Sequence, residues 1–312
     1  MPPSLTPTQA HIISLSFSFL YVASIYLSKS SRLSFAQPNN IKQQERTRND
    51  PAVIRVRLAM VSLASLISCG AVYWVVSWGR GESKEAPART ALHETIVRLG
   101  FILNGTQGES LNIGELVKPY FVTPSLFLGP LYALYLFDSL PMQRNSAIWA
   151  SLGNWQGVRN YLVAPITEEV VFRSCVIAIY GLAGASKKVI IFGSPLIFGL
   201  AHIHHAWETY NVRGRNTAAL KVAVISSLFQ FTYTTLFGFL CSFLLLRTGT
   251  VLVPLSAHVF CNSMGFPELS YHLGSFPDRK KVILTAYILG IVAFVGTLFS
   301  WTETGGSLYW AK

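Results

Sequence analysis

Three short stretches of this 312-residue chain set ionisable side chains inside runs that are otherwise strongly apolar. The first is Ala164-Pro165-Ile166-Thr167-Glu168-Glu169-Val170-Val171-Phe172-Arg173. On a helix the two adjacent carboxylates point about 100° apart. Glu169 and Arg173 are four residues apart and share a face, in the favourable order for an ion pair. Glu168 lies on a different face from Arg173, which leaves it the acid free to take and give a proton. Pro165 fits a first helical turn or a kink. The second stretch is Phe198-Gly199-Leu200-Ala201-His202-Ile203-His204-His205-Ala206-Trp207-Glu208. Here His202 and His205 share one helical face and His204 points elsewhere. The third is Ser256-Ala257-His258-Val259-Phe260-Cys261-Asn262-Ser263-Met264-Gly265. His258 and Asn262 are four apart on one face, and both can donate hydrogen bonds to an oxyanion.

Each stretch has a plain packing interpretation. Glu169 and Arg173 would make a buried lock between helices. The histidines would be hydrogen-bonded packing residues. His258 and Asn262 would make a polar helix–helix contact worth about 0.6 kcal/mol. Against this, ionisable groups inside a membrane span are expensive and usually functional. Hydrolysis of a peptide bond needs a base for water, a donor for the oxyanion and an acid for the leaving amine. Glu168 can serve as base and then as acid.

The elements that carry these residues follow from composition. Hydrophobic residues make up 51% of the chain and charged residues 12%, against about 25% charged in a soluble domain. The mean hydropathy of +0.41 agrees. Lipid-facing backbone must be hydrogen-bonded internally, so spans are expected as helices. About eight are predicted, at 10–28, 58–79, 119–137, 161–182, 189–206, 220–246, 250–267 and 282–300. The fold class is therefore all-α and polytopic. The chain divides into N-terminal spans with a polar region at 80–118 (1–157), a helical core carrying the three stretches (158–270), and a loop with the last span (271–312).

Charge orients the bundle. The net charge is +11, and most of the 25 Lys and Arg fall in the loops joining spans 1–2, 3–4, 5–6 and 7–8. The positive-inside rule makes these loops cytosolic. Glu168 then lies about 10 Å below the cytosolic end of its helix, His202 roughly 6 Å and His258 about 13 Å. Independent packing locks have no reason to share a membrane half, so the three stretches are expected to form one site.

Other signals are weaker. The first nine residues hold no Lys or Arg, so the first apolar run is expected to be a span and not a cleaved leader. Cys69, Cys175, Cys241 and Cys261 all fall in apolar spans without a CxxC pair and are expected as small buried hydrophobes. Asn104-Gly105-Thr106 is a glycosylation sequon on the expected luminal side. Leu92, Ile96, Leu99 and Ile102 recur at helical spacing, which predicts a helix lying on the membrane surface or packed beside it. No aromatic-interleaved basic patch is present, so nucleic acid is not an expected partner.

In order along the chain, Glu-Glu-x-x-x-Arg, Phe-Gly-x-x-His and His-x-x-x-Asn resemble the triple signature of the type II CAAX prenyl endopeptidases, also called Ras-converting endopeptidases. Thr234-Thr235-Leu236-Phe237-Gly238, Arg247-Thr248-Gly249, His204-His205-Ala206 and Gly265-Phe266-Pro267 are similar to the eukaryotic branch. The resemblance spans about residues 160–267. It implies that Glu168 and His202 hold and activate a water, that His258 and Asn262 stabilise the oxyanion, and that Glu169 and Arg173 support the site. His205 joins the supporting residues, although the signature fixes only the first histidine of its stretch. The implied substrates are farnesylated or geranylgeranylated CAAX proteins such as small GTPases, cleaved after the prenylated cysteine. The implied setting is the endoplasmic reticulum membrane, with the site open to the cytosol and no cofactor. Two alternatives stand beside it. One is a zinc protease using His202, His205, His258 and a glutamate, though no His-Glu-x-x-His is present. The other is a non-catalytic membrane scaffold of the same fold. A transporter ranks last, since no inverted repeat is visible.

Overall fold

The computed structural model describes residues 5–34, 46–79, 88–103, 113–141, 143, 153–305 and 307–310. The Asn104 sequon lies outside them. Among the described residues every regular element is helical, and Ser34 and Arg46 form an isolated bridge. Helix α1 (Pro7–Leu27) starts on a capping box in which Thr6 and Gln9 satisfy each other's backbone amides. Helix α2 (Pro51–Gly79) starts where Asp50 Oδ1 accepts the Ala52 amide, 2.8 Å. Helix α3 (Ala88–Arg98) is the helix expected in the 80–118 region. It packs against α2, with Thr95, Val97 and Leu99 buried and Leu92 exposed. Of the two placements expected for it, the observed packing corresponds to the one against protein.

The central element is a helical run over residues 155–182, here α5, which follows the short α4 (Leu128–Leu136). It is not a uniform helix. Wider π turns at Arg159–Val163 and Val170–Cys175 bracket the α-helical Ala164–Glu169 that carries both acids. From Val171 to Tyr180 every residue is buried, so protein surrounds this stretch on all sides. Around it stand α6 (Lys187–Val212), α7 (Thr217–Thr248), α8 (Leu252–Met264), the short α9 (Leu269–Ser275) and α10 (Lys280–Ser300).

Close approach between helices depends on small residues, because lipid offers no hydrophobic contrast to drive association. A methyl group at Gly199 on α6 would collide with Thr235 Oγ1 on α7, and one at Gly238 would come within 2.6 Å of Pro195 Cβ. The outer face of α10 is instead bare, with Ile288, Ile291, Val292, Val295 and Phe299 exposed. In a bilayer such a face meets acyl chains.

Five helices among the described residues are long and apolar enough to cross a membrane: Pro7–Leu27, Pro51–Gly79, Lys187–Val212, Thr217–Thr248 and Pro277–Ser300. The remaining three expected spans are shorter or interrupted. The 119–137 span is broken into Lys118–Phe121, Val122–Leu126 and α4, consistent with Pro119, Pro124 and Pro130 along it. The 250–267 span is the 13-residue α8.

Candidate active site

The three polar stretches meet. Glu169 and Arg173 on α5 are 0% and 1% exposed, and Arg173 Nε stands 3.3 Å from Glu169 Oε2. The guanidinium carbon lies 4.1 Å from the Phe198 ring centroid, a cation–π contact that covers its other face. His258 on α8 is nearly as enclosed, with 7% of its side chain exposed. Its Nδ1 donates to Glu169 Oε1 at 2.7 Å, and its Nε2 faces Glu168 Oε2 at 3.7 Å. One imidazole is therefore held by one acid and presented to the other. A buried carboxylate with both a cation and a histidine as partners is a positioning group. Glu168, with 19% of its side chain exposed, faces a cavity of about 620 Å³.

His202, His205, His258 and Asn262 line the same cavity as Glu168. His202 Nδ1 donates to Phe198 O, one turn back, at 2.8 Å. This fixes the tautomer and leaves Nε2 as an acceptor. Asn262 Nδ2 donates to Asn160 O at 2.9 Å, which uses one of its two amide hydrogens and leaves the other. His205 Nδ1 stands 3.9 Å from Glu208 Oε2.

One expectation fails. His204 does not face away; it lines the cavity with its neighbours. The helix tightens to a 3-10 turn at His202–His204, so the 100° spacing assumed for a continuous α-helix does not apply. His204 and His205 ring centroids consequently lie 4.0 Å apart.

Several cavity residues carry no motif. Tyr21 reaches in from α1, its hydroxyl 2.9 Å from Thr167 Oγ1 beside Glu168. Tyr233 and Phe237 enter from α7, and Phe237 packs edge-on against His258. Arg48, Arg57 and Arg159 stand around the same space. The aromatics give no signal in an apolar run. The arginines were legible only as basic residues near span ends, where they also read as orientation signals. Cys69 and Cys175, both in apolar runs, meet at 3.7 Å between α2 and α5.

The type II CAAX prenyl endopeptidase Rce1-like family matches residues 149–264, which contain the acids, histidines and Asn262 of all three stretches. Beyond that segment, the chain is 30% identical over 294 residues to the probable CAAX prenyl protease 2 of Schizosaccharomyces pombe, covering 93% of this chain and 92% of that one. This chain belongs to the type II CAAX prenyl endopeptidase family. The human CAAX prenyl protease 2 is 33% identical over 292 residues, 90% of this chain and 77% of its own. The Arabidopsis thaliana CAAX prenyl protease 2 is 39% identical over 172 residues, 55% and 51%. No solved structure matches. As a type II CAAX prenyl endopeptidase the chain is a peptidase, and its apolar helices make it a multi-pass membrane protein.

Proposed function

We propose that this chain removes the last three residues of farnesylated or geranylgeranylated CAAX proteins, small GTPases among them. Water would be activated by Glu168 and His202, and the oxyanion held by His258 and Asn262. The observation that carries this is the division of labour between adjacent acids: Glu169 is held by Arg173 and His258, while Glu168 faces the cavity.

The geometry supports each step. Glu168 takes a proton from a water that His202 Nε2 orients as acceptor. The water oxygen attacks the carbonyl carbon of the prenylated cysteine residue. The developing oxyanion receives hydrogen bonds from the doubly protonated form of His258, whose Nδ1–H is held by Glu169 and whose Nε2–H is left to donate, and from the free Asn262 amide hydrogen. Glu169 holds His258 in place through Nδ1. The C–N bond then breaks and Glu168 returns its proton to the departing amine. The cavity is walled by Phe127, Phe198, Tyr233 and Phe237, which suits a lipidated residue.

No metal is required for this scheme. The concentration of Arg and Lys in alternate loops supports a cavity open to the cytosol. The family resemblance supports the endoplasmic reticulum as its membrane.

The test is cleavage of a farnesylated CAAX peptide by purified protein, wild type against Glu168→Ala, with and without a zinc chelator. Chelator-resistant cleavage that a folded Glu168→Ala lacks is the expected result. Chelator-sensitive cleavage restored by zinc would replace it with the metal reaction. A folded wild type inactive on several prenyl peptides would leave the scaffold alternative.

A further inference from the structure

The mechanism uses one end of the cavity. Three guanidinium groups face the same space and have no part in it: Arg48, Arg57 and Arg159. They come from separate places: the turn before α2, α2 itself and the first π turn of α5. Among the described residues none is ion-paired. Glu208 is the described acid whose charge acts on Arg57 and Arg159, and its side chain stands 3.9 Å from the His205 ring, not in an ion pair with either arginine. So the mouth holds a net excess of positive charge at close quarters.

Their donors are arranged rather than loose. Arg159 is fixed by neutral acceptors: Nη1 to Arg48 O at 2.7 Å, Nη2 to Asn49 Oδ1 at 3.2 Å and Nε to Asn160 Oδ1 at 2.8 Å. These bonds leave its charge uncompensated. Arg57 Nε donates to Ser31 O at 2.9 Å, and its Nη2 is buried with no hydrogen-bond partner among the described residues. A buried orphan donor on a cation calls for an anion, because the cost of desolvating it is otherwise unrecovered. Mutual repulsion among three arginines is relieved in the same way.

The spacing selects the anion. Arg159 precedes Glu168 by nine residues on one helical run, at most about 13 Å along the axis because the π turn at Arg159–Val163 rises less per residue than an α-helix. Three extended residues span at most about 10 Å. A tripeptide whose first amide lies at Glu168 therefore brings its terminal carboxylate to the arginines. Arginine forks also match a carboxylate in a bidentate way. Resting on the function proposed above, we propose that Arg48, Arg57 and Arg159 form the subsite that binds the free C-terminal carboxylate of the substrate. It would set where the enzyme cuts by measuring three residues back from the chain end.

The experiment compares a farnesylated CAAX peptide ending in a free carboxylate with the same peptide ending in an amide, in nanodiscs of neutral lipid. Wild type should prefer the acid by about 10- to 100-fold in kcat/KM, carried by KM, as expected for charge-assisted hydrogen bonds. Arg57→Gln and Arg159→Gln should bring the acid-to-amide ratio toward one, and Arg57→Lys should recover part of it. Thermal unfolding confirms that each variant is folded. Equal cleavage of acid and amide by wild type, or variants that slow both peptides by one factor, would overturn the subsite. Variants that alter only the response to added anionic lipid would assign the arginines to lipid phosphate and overturn it too. If wild type cleaves neither peptide, the proposed function fails separately. Binding of the two peptides to Glu168→Gln then decides: preference for the acid, lost on adding Arg57→Gln, retains the subsite, and equal binding rejects it.

Discussion

The floor and the mouth of the cavity solve opposite problems with the same kinds of side chain. At the floor, Glu169 and Arg173 are sealed from solvent and matched against each other, and His258 alone carries their geometry to the cavity. At the mouth, Arg48, Arg57 and Arg159 are partly open, and none is ion-paired among the described residues. Glu168 sits between, one residue from the floor in sequence yet facing the cavity. A sealed ion pair keeps geometry fixed and offers nothing to a ligand. An open, unbalanced charge does little for the fold and can greet one. The difference teaches that charge inside a membrane protein marks function only where its partner is missing.

The contrast is sharpest in the two acids. Glu168→Gln should lower kcat by about 10²–10⁴-fold, the range for loss of a general acid–base group, with the melting temperature unchanged. A variant that melts early instead would move Glu168 to the floor. Removing one donor from the oxyanion, by Asn262→Ala, should lower kcat by about 10²–10³-fold with little change in KM. Arg173→Ala should act on the fold, because it leaves Glu169 buried and uncompensated at a cost of about 3–5 kcal/mol. Thermal unfolding in detergent reads this directly, and an unshifted transition would erase the distinction between floor and mouth. Gly199→Val should cost about 1–3 kcal/mol by forcing α6 and α7 apart, and should displace His202 enough to lower activity as well. The smallest expected effect is that of a zinc chelator, which should leave the rate of wild type unchanged.

Parts of this arrangement were open to reading along the chain. The Glu169–Arg173 pair is an i, i+4 contact, so local helix geometry implies it and two π turns leave it in place. Glu168 remained apart from Arg173 for the same reason. His204 departs from its α-helical placement because a 3-10 turn changes the angle per residue, and nothing in His202-Ile203-His204 announces that turn. Two of the expected spans, 119–137 and 250–267, are broken or short, since hydropathy records composition and not where prolines and turns interrupt a helix.

The sequence by itself determined a helical membrane protein, three polar stretches in order and the local pairing of one acid. These follow from solvent preference and from contacts a turn or less apart. Only the tertiary structure decided which nitrogen of His258 meets which acid, that Asn262 reaches Asn160, and that Tyr21 stands beside Thr167. Those contacts join residues 89, 102 and 146 positions apart. Periodicity carries no information at such separations, because the meeting of distant helices depends on how their whole surfaces pack. The arginine mouth belongs to the same class: three cations that lie far apart or on different elements in the chain become one charged opening only when α2 and α5 are set side by side.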